Sequence, residues 1–263
     1  MKNLKTLVLA GACAAALSVP AMADEAASAS NVSDVFASLS GGYADIDYDF
    51  FGGDDYFVDL AVGAKLWDTN WALQGQLGWE ATDYDFGSEV DSFTPGLSVF
   101  TRDPSRYAFG AGFVWHGLSS SGSDSDVTTY GAFGEFFANQ FTIGGGLHVI
   151  DGDAFEGWGG QIDGSWYMCE SAALRAKYRW IDIDGAPDTI GVLGASVDYK
   201  LEGSALTFSA FYEHIDSAIS LDGDVFGGRL SFRFGGSDSE VLMERDRNGT
   251  IDTRLEIETR HVF

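Results

Sequence analysis

Carboxylates are the most abundant reactive groups of this chain, with 40 Asp and Glu against 15 Lys and Arg and a net charge of −25 at pH 7. Asp83 with Asp85, and His214 with Asp216, are carboxylate and His–carboxylate pairs of the kind that can activate a water for hydrolysis. Asp45, Asp47, Asp49, Asp54 and Asp55 crowd one segment with the oxygen ligands that Ca²⁺ and Mg²⁺ prefer. The same carboxylates could bridge cations to an anionic surface, or simply stay hydrated. Glu244-Arg245-Asp246-Arg247-Asn248-Gly249-Thr250-Ile251-Asp252 has part of a calcium-loop spacing. It departs by Glu at position one and by Leu255 at position twelve, where a bidentate Glu is expected. A phospholipase-like site needs His and Ser together, and neither His116 nor His148 has a serine two residues away on its own face. A surface this acidic repels nucleic acid, which excludes that partner. With Cys13 and Cys169 alone, no disulfide framework is available.

The basic residues are sparse, and their placement is informative. Leu174, Ala176, Tyr178 and Trp180 alternate with Arg175, Lys177 and Arg179, the pattern of a strand between two environments. A cation on a lipid face near the midplane costs about 2–4 kcal/mol, so this segment's charged face must point into a lumen. The same rule places Lys65, Arg102, Lys200, Arg229 and Arg233 inward, together with Asp59, Glu80, Glu135, Asp163, Asp198 and Glu213. These residues are the candidate lumen lining.

Segments of this alternating kind recur over residues 35–44, 56–67, 71–82, 91–102, 106–117, 127–138, 141–150, 155–168, 172–182, 189–200, 205–215 and 225–234. The connections alternate too. Asp45–Asp55, Asp83–Val90, Leu118–Asp126, Asp151–Ala154, Asp182–Asp188 and Asp216–Asp224 are read as long and acidic. Asp68–Asn70, Asp103–Ser105, Asn139-Gln140, Cys169–Ser171 and Leu201–Ser204 are short. An even strand count with short turns at the end that carries both termini is the topology of a transmembrane barrel. Trp67, Trp71, Tyr107, Phe141, Tyr167 and Tyr199 beside the short turns suit an interfacial girdle. A soluble sandwich with a buried aromatic core is the competing reading.

Residues 1–23 read as a cleaved secretory signal: Lys2 and Lys5, an apolar run from Leu7 to Val19, then Ala21-Met22-Ala23. Cys13 follows Leu9-Ala10-Gly11-Ala12, a poor match to an acylation site. The domain reading is a short segment at 24–34, a transmembrane barrel at 35–234 and a C-terminal extension at 235–263, periplasmic or lumenal. No later stretch of 18 apolar residues exists, so a membrane must be crossed by strands.

Phe226-Gly227-Gly228-Arg229-Leu230-Ser231-Phe232-Arg233-Phe234 resembles the closing strand of Gram-negative outer-membrane β-barrels. The resemblance implies a closed antiparallel all-β barrel in the outer membrane. It makes Phe226, Leu230, Phe232 and Phe234 the signal read by the barrel-assembly machinery. The departure is residues 235–263, since that signal ordinarily ends the chain. Ile251, Thr253, Leu255, Ile257, Thr259, His261 and Phe263 alternate as well, and a hairpin turning at Asn248-Gly249 would accommodate them. Asp83, Asp85, His214 and Asp216 are similar in type to the site of omptin proteases, without a surrounding motif.

The expected function is a porin-like passive channel for small hydrophilic solutes, with no enzyme activity and no cofactor. Lipid, lipopolysaccharide and divalent cations at the acidic outer loops are the expected partners. A twelve-stranded barrel lies between small filled barrels and open porins. A structural or surface-binding barrel with a filled lumen is therefore the alternative, and an outer-rim hydrolase the third reading.

Overall fold

The structure, a computed structural model, describes residues 35–67, 69–120, 123–153, 155–186, 189–216, 222–234 and 240–258. The signal segment and residues 24–34 lie outside them. The strands are β1 (Val35–Tyr48), β2 (Phe51–Lys65), β3 (Trp71–Tyr84), β4 (Glu89–Asp103), β5 (Tyr107–Ser120) and β6 (Ser123–Ala138). They continue as β7 (Phe141–Gly152), β8 (Gly157–Cys169), β9 (Ala172–Ile183), β10 (Ile190–Lys200), β11 (Leu206–Asp216) and β12 (Gly223–Phe234). One short helix follows, α1 (Leu242–Asn248).

Each strand pairs antiparallel with its sequence neighbours, and β1 pairs with β12 to close the barrel. The closing register runs from Ala37 opposite Phe234 to Tyr48 opposite Gly223. Closure leaves no open edge, which in lipid would strand backbone donors and acceptors at several kcal/mol each. Asn139, in the two-residue turn between β6 and β7, has φ 48°, the positive value such hairpin turns require.

Pairing reaches further into the acidic segments than the alternating reading extends. Asp45 lies opposite Asp54 and Asp47 opposite Gly52, so β1 and β2 are joined only through Asp49-Phe50. The physical reason is visible in the side chains. Ala44, Ile46 and Tyr48 are buried inward while Asp45 and Asp47 are exposed outward. Period-two alternation therefore continues above the membrane, with carboxylates replacing apolar residues on the outer face.

The two faces are inverted relative to a water-soluble protein. Ile143, Leu147, Ile162 and Leu193 are 63, 58, 57 and 57% exposed, while inward Asp55, Gln74, His116 and Thr129 are 0, 1, 1 and 0% exposed. Exposed apolar surface with a buried polar interior is what a lipid solvent selects. Exposed Trp71, Phe136, Phe141, Trp166 and Tyr199 ring the end with the termini, and Tyr43, Tyr56, Phe93, Tyr130, Trp158 and Tyr212 ring the other. Tyr167 does not join the girdle expected of it. It shares the inward parity of Asp163, is 3% exposed, and donates to Asp246 Oδ2 at 3.1 Å.

Candidate functional site

The lumen is occupied by the chain's own C-terminal segment. At the end carrying the termini, α1 lies across the strand ends. The Leu242 amide donates to the Glu170 carbonyl at 2.8 Å, and Leu242 packs on Tyr167 and Ala173. Arg245 donates to the Ala205 carbonyl at 2.5 Å, and Arg247 to the Asn139 and Phe141 carbonyls at 2.8 and 2.9 Å. Gly249 caps the helix, so Asn248-Gly249 ends a helix and does not turn a hairpin.

Beyond α1 the segment runs along the inner wall without joining the sheet. Ile251 exchanges two hydrogen bonds with the Gln74 amide, 3.0 Å from its N–H and 2.8 Å to its carbonyl. Gln76 donates to Glu256 at 2.6 Å, and Thr129 donates to the Leu255 carbonyl at 2.5 Å. Arg254 is the central anchor. Its Nε donates to Asp163 at 2.5 Å and its Nη2 to Glu135 at 2.8 Å, with its side chain 2% exposed. Its backbone is left-handed at φ 58°, held by its N–H to Asp252 Oδ1 at 2.9 Å. A Cβ at Gly144 would lie 2.1 Å from Arg254 Nη2, so the bare backbone of β7 admits this guanidinium.

The inward charges meet one another and the segment. Arg175 holds Asp198 at 2.5 Å and also Asp246. Arg233 holds Asp246 at 2.8 Å, Lys177 holds Glu213 at 2.5 Å, and Arg179 donates to Gln161 at 3.0 Å. Arg102 donates to the Asn248 carbonyl at 2.7 Å and lies over Phe36 and Phe100. Arg229 lies over Phe57, 5.0 Å from its centroid. Lys200 and Glu80 are buried on the inner face, and Lys65 is half-buried there. Burial raises the Asp246 carboxyl, but the Arg175 and Arg233 guanidiniums outweigh it and hold the group below the usual carboxylate range. Glu256 is pushed up to about 8, by burial first and then by the Asp59, Asp252 and Glu258 carboxylates.

Two features escaped the sequence reading. The first is an apolar collar inside the end away from the short turns. Strands β1, β3 to β7 and β9 to β12 each contribute a buried apolar side chain, such as Ile46, Ile150, Ile181, Val192 and Ile215, and Ile257 joins them. Ile150, Ile181, Val192 and Ile215 fall within the alternating segments, whereas the Asp residues flanking Ile46 made its stretch read as loop. The second is the pairing of Asp246 and Arg254 with the wall, for which no sequence signal exists. Beside the segment a polar cavity of about 260 Å³ remains against β6 to β12.

The hydrolytic grouping is not assembled. Asp83 lies on β3 and His214 on β11, with β2, β1 and β12 between them. His214 faces outward, with Nδ1 2.9 Å from Asp224. The calcium-loop spacing falls on α1, where Asp246 is held by Arg175 and Arg233. Among the described residues no three His, Cys, Asp or Glu are grouped to hold a metal ion. Asp54 accepts from the Tyr43 hydroxyl at 2.5 Å, whereas Asp55 is buried in the lumen.

No protein-family model matches the chain, and no curated protein does. Solved structures do. The translocator domain of the autotransporter NalP from Neisseria meningitidis matches with a TM-score of 0.54 at 15% identity, over 88% of this chain and 99% of that one. An outer-membrane channel from Pseudomonas putida F1 matches at 0.56 and 11% identity, over 78 and 97%. The porin KdgM, solved with disordered oligogalacturonate, matches at 0.51 and 9% identity, over 75 and 99%. The shared fold is the closed outer-membrane β-barrel.

Proposed function

We propose that this chain is an outer-membrane barrel, a porin-like passive channel for small hydrophilic solutes, held shut by its own C-terminal segment. The observation that carries this reading is how the segment is fastened. Its anchors are ion pairs and hydrogen bonds to a polar wall, centred on Arg254 and Asp246, with the polar cavity beside them. A polar wall stays hydrated once the segment leaves. The apolar collar is then a second barrier, of the type that gates by dewetting, and Ile257 is the residue the segment contributes to it.

The collar also favours the second reading, a structural barrel with a permanently filled lumen. Conductance in planar bilayers separates the two. The full-length chain is expected to be silent, and the full-length Asp246→Ala/Arg254→Ala variant to show discrete openings. If the folded variant is as silent as its parent, the barrel is structural and the channel reading fails. Export by a cleaved signal and assembly through the Phe226–Phe234 strand belong to this proposal. So does cation-bridged lipopolysaccharide at outward carboxylates such as Asp45, Asp47 and Asp126.

A further inference from the structure

Among the described residues, one cation around the remaining cavity has neither a carboxylate nor a carbonyl to hold. Six cations line it. Arg175, Lys177, Arg233 and Arg254 each hold a carboxylate, and Arg247 donates to two carbonyls. Arg229 holds neither among the described residues; its buried Nε, like that of Arg247, has no hydrogen-bond partner there, but Arg247 has its two carbonyls and Arg229 has only the Phe57 ring. A buried donor left unmade costs roughly 1–3 kcal/mol, more when charged, so a guanidinium kept in this state needs another acceptor.

Its surroundings define what that acceptor is. Across the sheet Arg229 stands opposite Ser209 on β11 and Gly42 on β1. A Cβ at Gly42 would fall 2.3 Å from the Phe57 ring, so that glycine makes room for the aromatic shelf beneath the guanidinium. Two pairs further along, on the same face, Ser231 on β12 lies opposite Ser40 on β1, and Ser209 and Ser231 line the same cavity. A planar fork of donors on an aromatic face, flanked by hydroxyls, matches a carboxylate carried on a hydroxylated body. The cavity volume limits that body to a small molecule.

We infer that Arg229, with Ser209 and Ser231, forms a binding site for a small hydroxylated carboxylate in the lumen beside the C-terminal segment. The site deepens the solute-channel reading by naming the solute class. Binding needs no conduction, so its failure and the failure of the channel are scored separately.

The test is calorimetric titration of the full-length, detergent-folded protein with sodium gluconate, sorbitol and inorganic phosphate. Gluconate is expected to bind once per chain. Sorbitol, which lacks the charge, and phosphate, which lacks the hydroxylated body that Ser209 and Ser231 would hold, are expected to bind at least about tenfold more weakly, a difference of 1.4 kcal/mol. Arg229→Gln should weaken gluconate by at least the same factor, and Arg229→Lys, which keeps the charge, by less. Absence of gluconate binding, equal binding of sorbitol or phosphate, or unchanged binding in a folded Arg229 variant would each overturn the assignment. The wild-type comparison of the three solutes decides the matter even if no variant folds.

Discussion

Arg254 stands where the segment and the wall are most tightly joined, with two carboxylates on one nearly fully buried guanidinium. Removing one member of such a group leaves the others buried without a counter-charge, at a cost of about 3–5 kcal/mol. Arg254→Ala is therefore expected to weaken docking of the segment by that order, read as faster amide hydrogen exchange over residues 249–258 with the strands unchanged. Unchanged exchange there would show that Glu135 and Asp163 do not depend on it. On the outer face the sign of the charge effect reverses. Leu147→Arg places a cation on a lipid-facing position and should cost about 2–4 kcal/mol in urea titrations of the bilayer-folded barrel. A cost near zero would mean that this face is not in lipid. At this scale the sequence was partly legible. The lipid penalty alone assigns Arg175, Lys177 and Arg179 to the inside. It cannot say that Arg175 meets Asp246 or that Arg254 meets Glu135, because those partners lie 71 and 119 residues apart and no periodicity links them.

The element that decides the state of the barrel is the segment from α1 to Glu258. Its stability should depend on pH through Glu256 and Asp246, which lie outside the spanning strands. Glu256 is raised in the docked state to about 8 from an ordinary 4.5. The docked state therefore binds more protons than the free one between those values, and the contribution present below 4.5 is lost as pH rises through 8. Asp246 is held low, so its contribution is present above 3.8 and is lost as pH falls below that. Docking should be firmest at about pH 4–5. Exchange over residues 249–258, corrected for its intrinsic rate, is expected to accelerate from about pH 5 to pH 9, and Glu256→Gln should flatten the dependence. A flat wild-type profile would contradict this account of Glu256. The strands themselves were readable because a two-environment wall imposes alternation. Their acidic ends were harder, since Asp45 and Asp47 read as loop until Ile46 and Tyr48 are seen packing inward. Alternation at Ile251, Thr253, Leu255 and Ile257 was equally visible, but a period of two cannot distinguish a sheet strand from an extended segment lying inside one.

As a whole, the molecule is a cylinder with lipid outside, a polar wall around the segment, and an apolar collar at the end away from the short turns. Fold class followed from composition and period, because twelve alternating segments with no apolar helix leave few other solutions. Whether the lumen is open did not follow, because it depends on the docking of a segment that joins no sheet. The claim that the C-terminal segment lies inside the barrel is tested most directly by photo-cross-linking. A benzophenone amino acid replaces Ile251 in the full-length protein, and intact outer membranes are irradiated. Mass spectrometry should find adducts on the inward residues packed around that position, Phe36, Ala72 and Phe100, together with Gln74. Adducts on outward-facing residues or on another protein, or none at all, would contradict it.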